Sequence, residues 1–270
     1  MTTETIGRLD HNEITFPKLG IDLHLDSTAF SIGGLDIQWY GILITLGLVL
    51  AMVYAFTQVK KYGLNPDRVM DCIIGGIIGG VVGARAYYVL LNWNNYAGDW
   101  KSILNIREGG LAIYGGIIGS FLAGLLVAKI RKVKFLPLLD IVGIGFLLGQ
   151  GIGRWGNFFN REAFGGMTEL PWRMRLWISG TYYIDVHPTF LYESLWNVAG
   201  LLLLCLAVDK VRRFDGENTC FYFLWYGIGR FWIEGLRTDS LYLFNLTLFG
   251  ERVRVSQALS LVMVVLCLLY

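Results

Sequence analysis

Charged side chains lie inside three hydrophobic stretches of this sequence, at spacings that place them on single helix faces. In the sixth stretch, Tyr226, Arg230, Glu234 and Arg237 follow one another at steps of four, four and three residues. At about 100° per residue, all four share one stripe of a helix. A charge near the bilayer centre costs about 2.5–3.5 kcal/mol, so the stripe must face protein or water. It either forms an internal Arg230–Glu234 ion pair that locks the helices together, or it serves a reaction.

The fifth apolar stretch carries a similar stripe. Glu193 and Asn197 follow Thr189 at steps of four, and His187 and Pro188 come directly before them. Proline fits the first turn of a helix, where its missing N–H costs nothing. Glu193 and His187 are candidates for substrate binding. The alternatives are a hydrogen bond to a neighbouring helix for Glu193 and a helix-end contact for His187.

The densest polar signal is GRWGNFFNREAFG at residues 153–165, where the fourth apolar stretch ends. Its polar members are Arg154, Asn157, Asn160, Arg161 and Glu162. Its glycines predict that a regular helix does not continue through the whole segment. Irregular backbone at that depth is tolerated only against protein or a watery cavity. Arginine suits a phosphate, because its planar fork donates two parallel hydrogen bonds. The alternative is a polar loop whose arginine side chains snorkel to the membrane–water interface.

The composition is that of an integral membrane protein. Of the 270 residues, 54% are hydrophobic and 16% are charged, against about 25% charged in soluble domains, and the mean hydropathy is +0.51. A net charge of +2 argues against a nucleic-acid partner. The four cysteines lie far apart without metal-binding spacing, so we expect neither a metal site nor a cofactor.

Seven apolar stretches predict an all-α polytopic protein with about seven transmembrane helices. They cover approximately residues 38–59, 69–92, 110–130, 137–158, 187–208, 219–236 and 256–270. Residues 1–37 predict an extracytoplasmic arm, residues 38–270 a transmembrane catalytic domain, and residues 166–186 an external cap within that domain. Rows of small residues predict a tight core of the second, third and fourth helices.

The orientation follows from compact basic clusters, which stay in the cytoplasm. These clusters are Lys60, Lys61 and Arg68, then Lys129, Arg131, Lys132 and Lys134, then Lys210, Arg212 and Arg213. The N-terminus is therefore predicted outside and the C-terminus in the cytoplasm. The unusual residues then converge on the outer leaflet, including Tyr40, Arg85 and Tyr114. A random scatter of structural charges would not converge in this way.

At GRWGNFFNREAFG the sequence resembles the signature of the prolipoprotein diacylglyceryl transferase family. Further matches are WYG at 39–41, GAR at 83–85, GGLAIYGG at 109–116, HPTFLYES at 187–194 and YGIGRFWIEGLR at 226–237. These motifs run from the first helix to the sixth in the family's order. The resemblance is therefore far more specific than a single motif.

The resemblance implies a transferase with two partners besides the membrane: phosphatidylglycerol and a preprolipoprotein signal peptide. The diacylglyceryl group would move to the lipobox cysteine, forming a thioether and releasing glycerol phosphate, at the outer face of a bacterial cytoplasmic (inner) membrane. The family's important positions match Tyr40, Arg154, Asn157, Glu162, Gly165, Arg230 and Glu234.

We predict a catalytic role for five residues: Arg154, Arg230, Tyr114, Glu162 and Glu234. The two arginines would hold the phosphate and the two glutamates would position them. Tyr114 stands where some members of the family carry a histidine. Since a tyrosine with a pKa of about 10 is a poor base, the acceptor of the thiol proton stays unassigned. The predicted substrate-binding residues are Tyr40, Arg85, Asn157, Asn160, Gly165, His187, Glu193, Tyr226 and Arg237.

Two other classes of protein also fit parts of this pattern. Glycine-rich helices and intramembrane arginines would suit a small anion transporter or channel. However, no inverted repeat is visible, and the polar residues cluster towards one leaflet. A structural scaffold would not explain polar stripes on three separate helices.

Overall fold

The computed structural model describes residues 12–106, 109–179, 182–240, 242–248 and 251–270. The first eleven residues of the predicted arm and residues 180 and 181 of the predicted cap lie outside the described residues. The chain divides into two compact units. The larger unit comprises Met1–Ala55 and Val142–Tyr270, and the smaller unit comprises Phe56–Ile141.

Helices occur in all seven predicted apolar stretches. They are α1 (Trp39–Gln58), α2 (Pro66–Leu91), the short α3 (Trp93–Tyr96) and α4 (Trp100–Leu104), α5 (Ile113–Ile130), α6 (Phe135–Asn160), α7 (Thr189–Leu206), α8 (Glu217–Leu236) and α9 (Val255–Leu269). Among the described helices, five are long and apolar enough to cross a membrane, namely α1, α2, α5, α6 and α7. The prediction of a mostly helical membrane protein is confirmed in this coarser form.

Strands accompany the helices, so the chain is not purely α-helical. A four-stranded antiparallel sheet has the order β2 (Ile21–His24), β1 (Glu13–Phe16), β5 (Met174–Trp177) and β6 (Tyr183–Val186). The hairpins β3 (Thr28–Ile32)–β4 (Leu35–Gln38) and β7 (Tyr242–Leu248)–β8 (Glu251–Arg254) form two further sheets. The pairing of Ile14 with Leu176 joins the predicted arm to the predicted cap. Alternation predicts extended structure in the arm but does not identify its partner.

The four-stranded sheet packs against the ends of two helices. Its buried face presents Ile14, Leu176 and Val186, which cluster with Phe158 near the end of α6 and Phe190 near the start of α7. Burying a large apolar side chain contributes about 1.5–3 kcal/mol. This cluster therefore fixes the sheet at the end of the helices where the polar 153–165 segment lies.

The exposed face of the sheet carries an ion-paired cluster. The Asp185 carboxylate accepts hydrogen bonds from Arg175 Nε at 2.7 Å and from Arg173 Nε at 2.7 Å. The Arg175 guanidinium also lies 3.7 Å from the centre of the Tyr183 ring. The hydrogen bond from Arg175, assisted by Arg173, holds the pKa of the Asp185 carboxyl below its ordinary value.

Replacing Asp185 by asparagine removes charge-assisted hydrogen bonds. We expect it to lower the free energy of opening β5 and β6 by about 1–2 kcal/mol at pH 7. Because the native pKa is depressed, the stabilisation is complete above the ordinary aspartate range of about 4. It disappears as the pH falls through the native pKa. Hydrogen–deuterium exchange of the two strands, compared between pH 7 and pH 3, measures this. The control is Asp215→Asn at the more exposed Arg212 pair; unchanged protection in Asp185→Asn would contradict the expectation.

In the smaller unit, glycines let α2 and α5 approach closely. A Cβ atom on Gly79 would lie 2.6 Å from the Gly119 carbonyl oxygen, and one on Gly83 would lie 2.4 Å from that of Gly115. The predicted close packing of the second and third apolar helices is thus present. The small residues of α6 behave differently from the prediction, because Gly149 packs on Gly47 of α1. Both of these helices have a small residue at the contact, and pattern alone does not identify the partner.

Two tryptophans join α7 and α8 in the larger unit. Trp196 Nε1 donates to the Trp225 carbonyl oxygen at 2.9 Å, and Trp225 Nε1 donates to the Trp196 carbonyl oxygen at 2.8 Å. The two rings stack with their centroids 4.5 Å apart. Gly200 lies against one indole and Gly229 against the other, where a Cβ atom would come within 2.3 Å and 2.2 Å of the indole nitrogens. This reciprocal tryptophan pair sets the register of the two helices.

Candidate active site

The end of α6 supplies the first part of the site. The helix continues through Gly153 and Gly156 and ends at Asn160, so a regular helix does not run through the whole segment, as its glycines predict. Gly156 itself serves packing: a Cβ there would lie 2.6 Å from Tyr40 Cδ2, so the glycine admits α1. Irregular backbone begins at Arg161, which has a left-handed φ of 53° and ends the helix.

Glu193 lies at the centre of the polar network. It is 5% exposed and sits in the second turn of α7. Its Oε2 atom lies 2.6 Å from Arg154 Nε, and its Oε1 atom accepts from Arg230 at 3.0 Å and from Arg237 at 3.4 Å. One carboxylate thus joins guanidinium groups from the ends of α6 and α8.

Two further carboxylates complete the network on the α8 side. Arg230 Nη2 lies 2.6 Å from Glu234 Oε2, which is the i,i+4 pair that the sequence spacing predicts. Arg237 meets Asp239 with two hydrogen bonds, at 2.9 Å and 2.6 Å. Glu234 is only 1% exposed. The network therefore sets three guanidinium groups against three carboxylates, which offset the cost of burying each charge.

Asn157 connects this network to Glu162. Arg154 Nη1 donates to Asn157 Oδ1 at 3.2 Å, and Asn157 Nδ2 donates to Glu162 Oε1 at 2.9 Å. Asn160 Nδ2 donates to the same oxygen at 3.2 Å. Glu162 therefore contacts two amides, and Asn157 connects it to Arg154. The direct positioning of Arg154 comes from Glu193 instead.

A short loop after α6 lies between the start of α7 and the end of α8. Gly165 N–H donates to the His187 carbonyl at 3.0 Å, and Gly166 N–H donates to the Leu236 carbonyl at 2.8 Å. A Cβ on Gly165 would lie 2.7 Å from His187 Cβ and 3.0 Å from the Leu236 oxygen. Gly165 is thus required for a close approach of backbones that brings the three helix ends together.

His187 lies beside this loop, just before α7. Its Nδ1 atom is 3.2 Å from the Tyr192 hydroxyl, which also accepts from Trp172 Nε1 at 2.8 Å. Burial lowers the pKa of His187 below its ordinary value. A lowered pKa favours the neutral imidazole, in which one ring nitrogen donates and the other accepts a hydrogen bond. Among the described residues, no group of three or more His, Cys, Asp and Glu side chains is placed to hold a metal ion.

Residues 27–270 match the family model of prolipoprotein diacylglyceryl transferase. The chain belongs to this family. It is 45% identical over 241 residues to the phosphatidylglycerol–prolipoprotein diacylglyceryl transferase of Finegoldia magna, covering 89% of this chain and 92% of the relative. It is 44% identical over 251 residues to transferase 1 of that name in Clostridium perfringens, covering 90% and 92%. The Bacillus cereus transferase is 42% identical over 262 residues, with 93% of each chain covered.

Two residues predicted from the family motifs lie in the smaller unit. Arg85 donates to the backbone carbonyls of Ile103 and Ser102 at 2.9 Å and 2.6 Å, and to those of Gly109 and Gly110 at 2.9 Å. Its guanidinium therefore holds the segment that leads into α5, and substrate contact by Arg85 stays a prediction. Tyr114 is an exposed residue in the first turn of α5.

The other predicted residues of this transferase family member fall in the larger unit. Tyr40 begins α1 and packs on Gly156, while Tyr226 stacks on Tyr222 with the ring centroids 5.9 Å apart. Sequence reasoning missed Asp239, although a carboxylate two residues after Arg237 is a visible signal. It also missed Arg254, which donates to the Glu234 carbonyl from the strand before α9. No spacing rule links Arg254 to α8, so no signal for it was present.

Proposed function

We propose that this chain transfers the diacylglyceryl group of phosphatidylglycerol to the lipobox cysteine thiol of a preprolipoprotein. A carbon–sulfur bond forms at the glycerol carbon, the carbon–oxygen bond to the phosphate breaks, and glycerol phosphate leaves. The observation that carries this proposal is the convergence of Arg154 and Arg230 on Glu193 from two different helices. The names of the relatives support the same two substrates.

The arginines act on the leaving group. Arginine has five N–H donors, and the contacts of Arg154 with Glu193 and Asn157 use two of them. The remaining N–H groups are available to a phosphodiester, and their geometry suits two of its oxygens at once. As the carbon–oxygen bond breaks, charge grows on the phosphate, and donors already held in place stabilise it.

Glu193 keeps these donors in place before the lipid arrives. Three mobile arginines without a counter-charge would repel one another and spread apart, whereas the shared carboxylate holds their planes fixed. The phosphate would then bind beside Glu193 without having to order the site itself. We therefore assign Glu193 to positioning rather than to direct contact with the lipid.

The thiol proton needs an acceptor. A free thiol has a pKa of about 8.5, and the thiolate is the nucleophile. Arginines near the incoming sulfur would lower its pKa, and the proton leaves with the phosphate product or through a relay. Tyr114 is the relay that the family motif suggests.

Tyr114→Phe tests that relay. Loss of the hydroxyl is expected to lower the rate about 100-fold or more and to change its pH dependence, because proton transfer by a placed side chain contributes about 10²–10⁴-fold. The rate constant for transfer is measured between pH 6 and pH 9. Exposed Tyr182→Phe is the control, and an unchanged rate in Tyr114→Phe would remove Tyr114 from the proton path.

We further propose that the site faces the outer leaflet of a bacterial inner membrane. In this topology α8 and α9 also span the bilayer, giving seven spans with the N-terminus outside. The four-stranded sheet supports it, because β1 precedes α1 while β5 and β6 lie between α6 and α7. The start of α1, the end of α6 and the start of α7 would then lie on the same side of the membrane. Exposed Trp172, Tyr182 and Tyr183 suit the interface there, and the predicted cap would help admit the protein substrate.

A transfer assay in reconstituted liposomes tests the proposed function. Purified protein is given radiolabelled phosphatidylglycerol and a lipobox peptide, and the thioether product and free glycerol phosphate are measured together. We expect the two products in equal amounts. A lipobox peptide with serine in place of cysteine should yield neither. Uptake of labelled anion without transfer would favour the transporter alternative and contradict the proposal.

A further inference from the structure

A second polar layer lies one helical turn from the arginine network, nearer the middle of α6 and α7. Gln150 comes four residues before Arg154, and Asn197 comes four residues after Glu193. Positions four residues apart share a helix face. Because Arg154 and Glu193 meet, Gln150 and Asn197 turn to the same interior. The two helices are in contact here, since a Cβ on Gly151 would lie 3.7 Å from Asn197 Cβ.

Asn197 presents a buried amide oxygen that no described residue contacts with a hydrogen bond. The residue is 4% exposed, and its Nδ2 atom donates to the Glu193 carbonyl at 2.8 Å. This bond fixes the amide, because the reversed orientation would set two oxygens against each other. Its Oδ1 atom is buried and has no hydrogen-bond partner within the described ranges of the chain.

Gln150 adds a second unsatisfied atom. Its Nε2 atom lies 3.0 Å from the Tyr222 hydroxyl, and its buried Oε1 atom has no partner in the part of the chain that the structure describes. If this amide is reversed, the Tyr222 hydroxyl donates to the oxygen and the NH₂ group becomes the unsatisfied one. Either orientation leaves a buried polar atom, which is costly unless a ligand or water binds it.

We infer that Asn197 and Gln150 form a hydroxyl-binding subsite for the headgroup glycerol of the lipid. This inference rests on the proposed function, in which Arg154 and Arg230 hold the phosphate. A hydroxyl both donates and accepts, so it satisfies Asn197 Oδ1 and either orientation of Gln150. One helical turn is about 5.4 Å, within reach of a three-carbon polyol attached to that phosphate. An ammonium headgroup would instead bring a positive charge towards Arg154.

The test compares two lipids that differ only in the headgroup hydroxyls. Phosphatidylglycerol and phosphatidylpropanol with the same acyl chains are each given to the wild-type protein, Asn197→Leu and Gln150→Met. We expect the wild type to prefer phosphatidylglycerol at least tenfold in kcat/KM. Each variant should lose about tenfold with phosphatidylglycerol and less than twofold with phosphatidylpropanol.

The matched control is Gln257→Met, the same change on α9 at an amide that binds the Phe231 carbonyl. It should leave the lipid preference unchanged. Equal losses of both lipids in Asn197→Leu, or no preference in the wild type, would overturn the inference and leave the two amides binding water alone. Glycerol phosphate and propyl phosphate are also added as inhibitors of transfer, to show whether the leaving product binds at the same subsite. Stronger inhibition by glycerol phosphate that is lost in Asn197→Leu supports the subsite.

A binding measurement separates this inference from the proposed function. If the wild type transfers from neither lipid, the proposed function fails. Retention of each lipid by the detergent-solubilised protein is therefore also measured by native mass spectrometry. Stronger retention of phosphatidylglycerol that Asn197→Leu abolishes supports the subsite whatever the transfer result. Equal retention of the two lipids contradicts it.

Discussion

Glu193→Gln is expected to reduce diacylglyceryl transfer about 100-fold or more. Arg154, Arg230 and Arg237 all bind the two Glu193 oxygens, and the amide would offer one oxygen and point an NH₂ group at a guanidinium. Breaking a buried ion pair by removing one partner costs about 3–5 kcal/mol, and about 1.4 kcal/mol corresponds to tenfold in rate. Because the arginines themselves remain, the KM for the lipid should change less than kcat.

Two comparisons show whether this loss comes from positioning. Glu193→Asp keeps the charge on a shorter side chain and should recover part of the rate. Glu217→Gln makes the same chemical change at the opposite end of α8, where the carboxylate binds Arg213, and should leave transfer unchanged. Steady-state rates in liposomes, with circular dichroism to confirm folding, provide the measurement. A normal kcat in Glu193→Gln would remove Glu193 from the working site.

Arg230→Lys is expected to abolish most transfer although the positive charge is kept. The guanidinium reaches Glu193 with Nη1 and Glu234 with Nη2, which leaves its Nε–H and a second N–H on each terminal nitrogen for a phosphate. A lysine ammonium is a single point and cannot hold two carboxylates while presenting parallel donors. Losing one placed donor for developing charge costs about 10²–10³-fold, so we expect a loss of that size in kcat.

The matched control for this prediction is Arg213→Lys. Arg213 precedes the same helix, pairs with Glu217 and has a side chain that is 78% exposed. An exposed pair contributes at most about 1 kcal/mol, so transfer should stay close to that of the wild type. Near-normal transfer by Arg230→Lys in the same liposomes would contradict a bidentate contact between Arg230 and the phosphate.

The sequence predicts which residue types form the site better than it predicts which side chains contact one another. The stripe of Arg230, Glu234 and Arg237 is visible because helical periodicity places these residues on one face. Glu193 is also visible as a candidate, but only the structure makes it the centre. Which side chain from one helix meets which from another depends on rotation and tilt, and neither leaves a trace in residue spacing.

The same limit applies to the fold. Hydropathy locates the apolar helices well, since a membrane span demands a long apolar run. The four-stranded sheet is different, because β1 and β5 are more than 150 residues apart in the chain and alternation does not name a partner. The glycines of residues 153–165 predict that the regular helix ends within this segment, but they do not predict that Gly156 serves the contact with Tyr40. A glycine permits either a helix end or a close contact, and its neighbour decides between them.

The reciprocal tryptophan pair ties together four positions on two helices. A smaller ring at Trp196 would leave a void beside Gly229 and a carbonyl of α8 without its extra donor, while any side chain on Gly229 would collide with the indole. Trp225 and Gly200 are linked in the same way. A single change at one of these positions is therefore harmful until a second one compensates for it. During divergence, the four should be retained or replaced together, as one inherited set beneath the reacting end of α7 and α8.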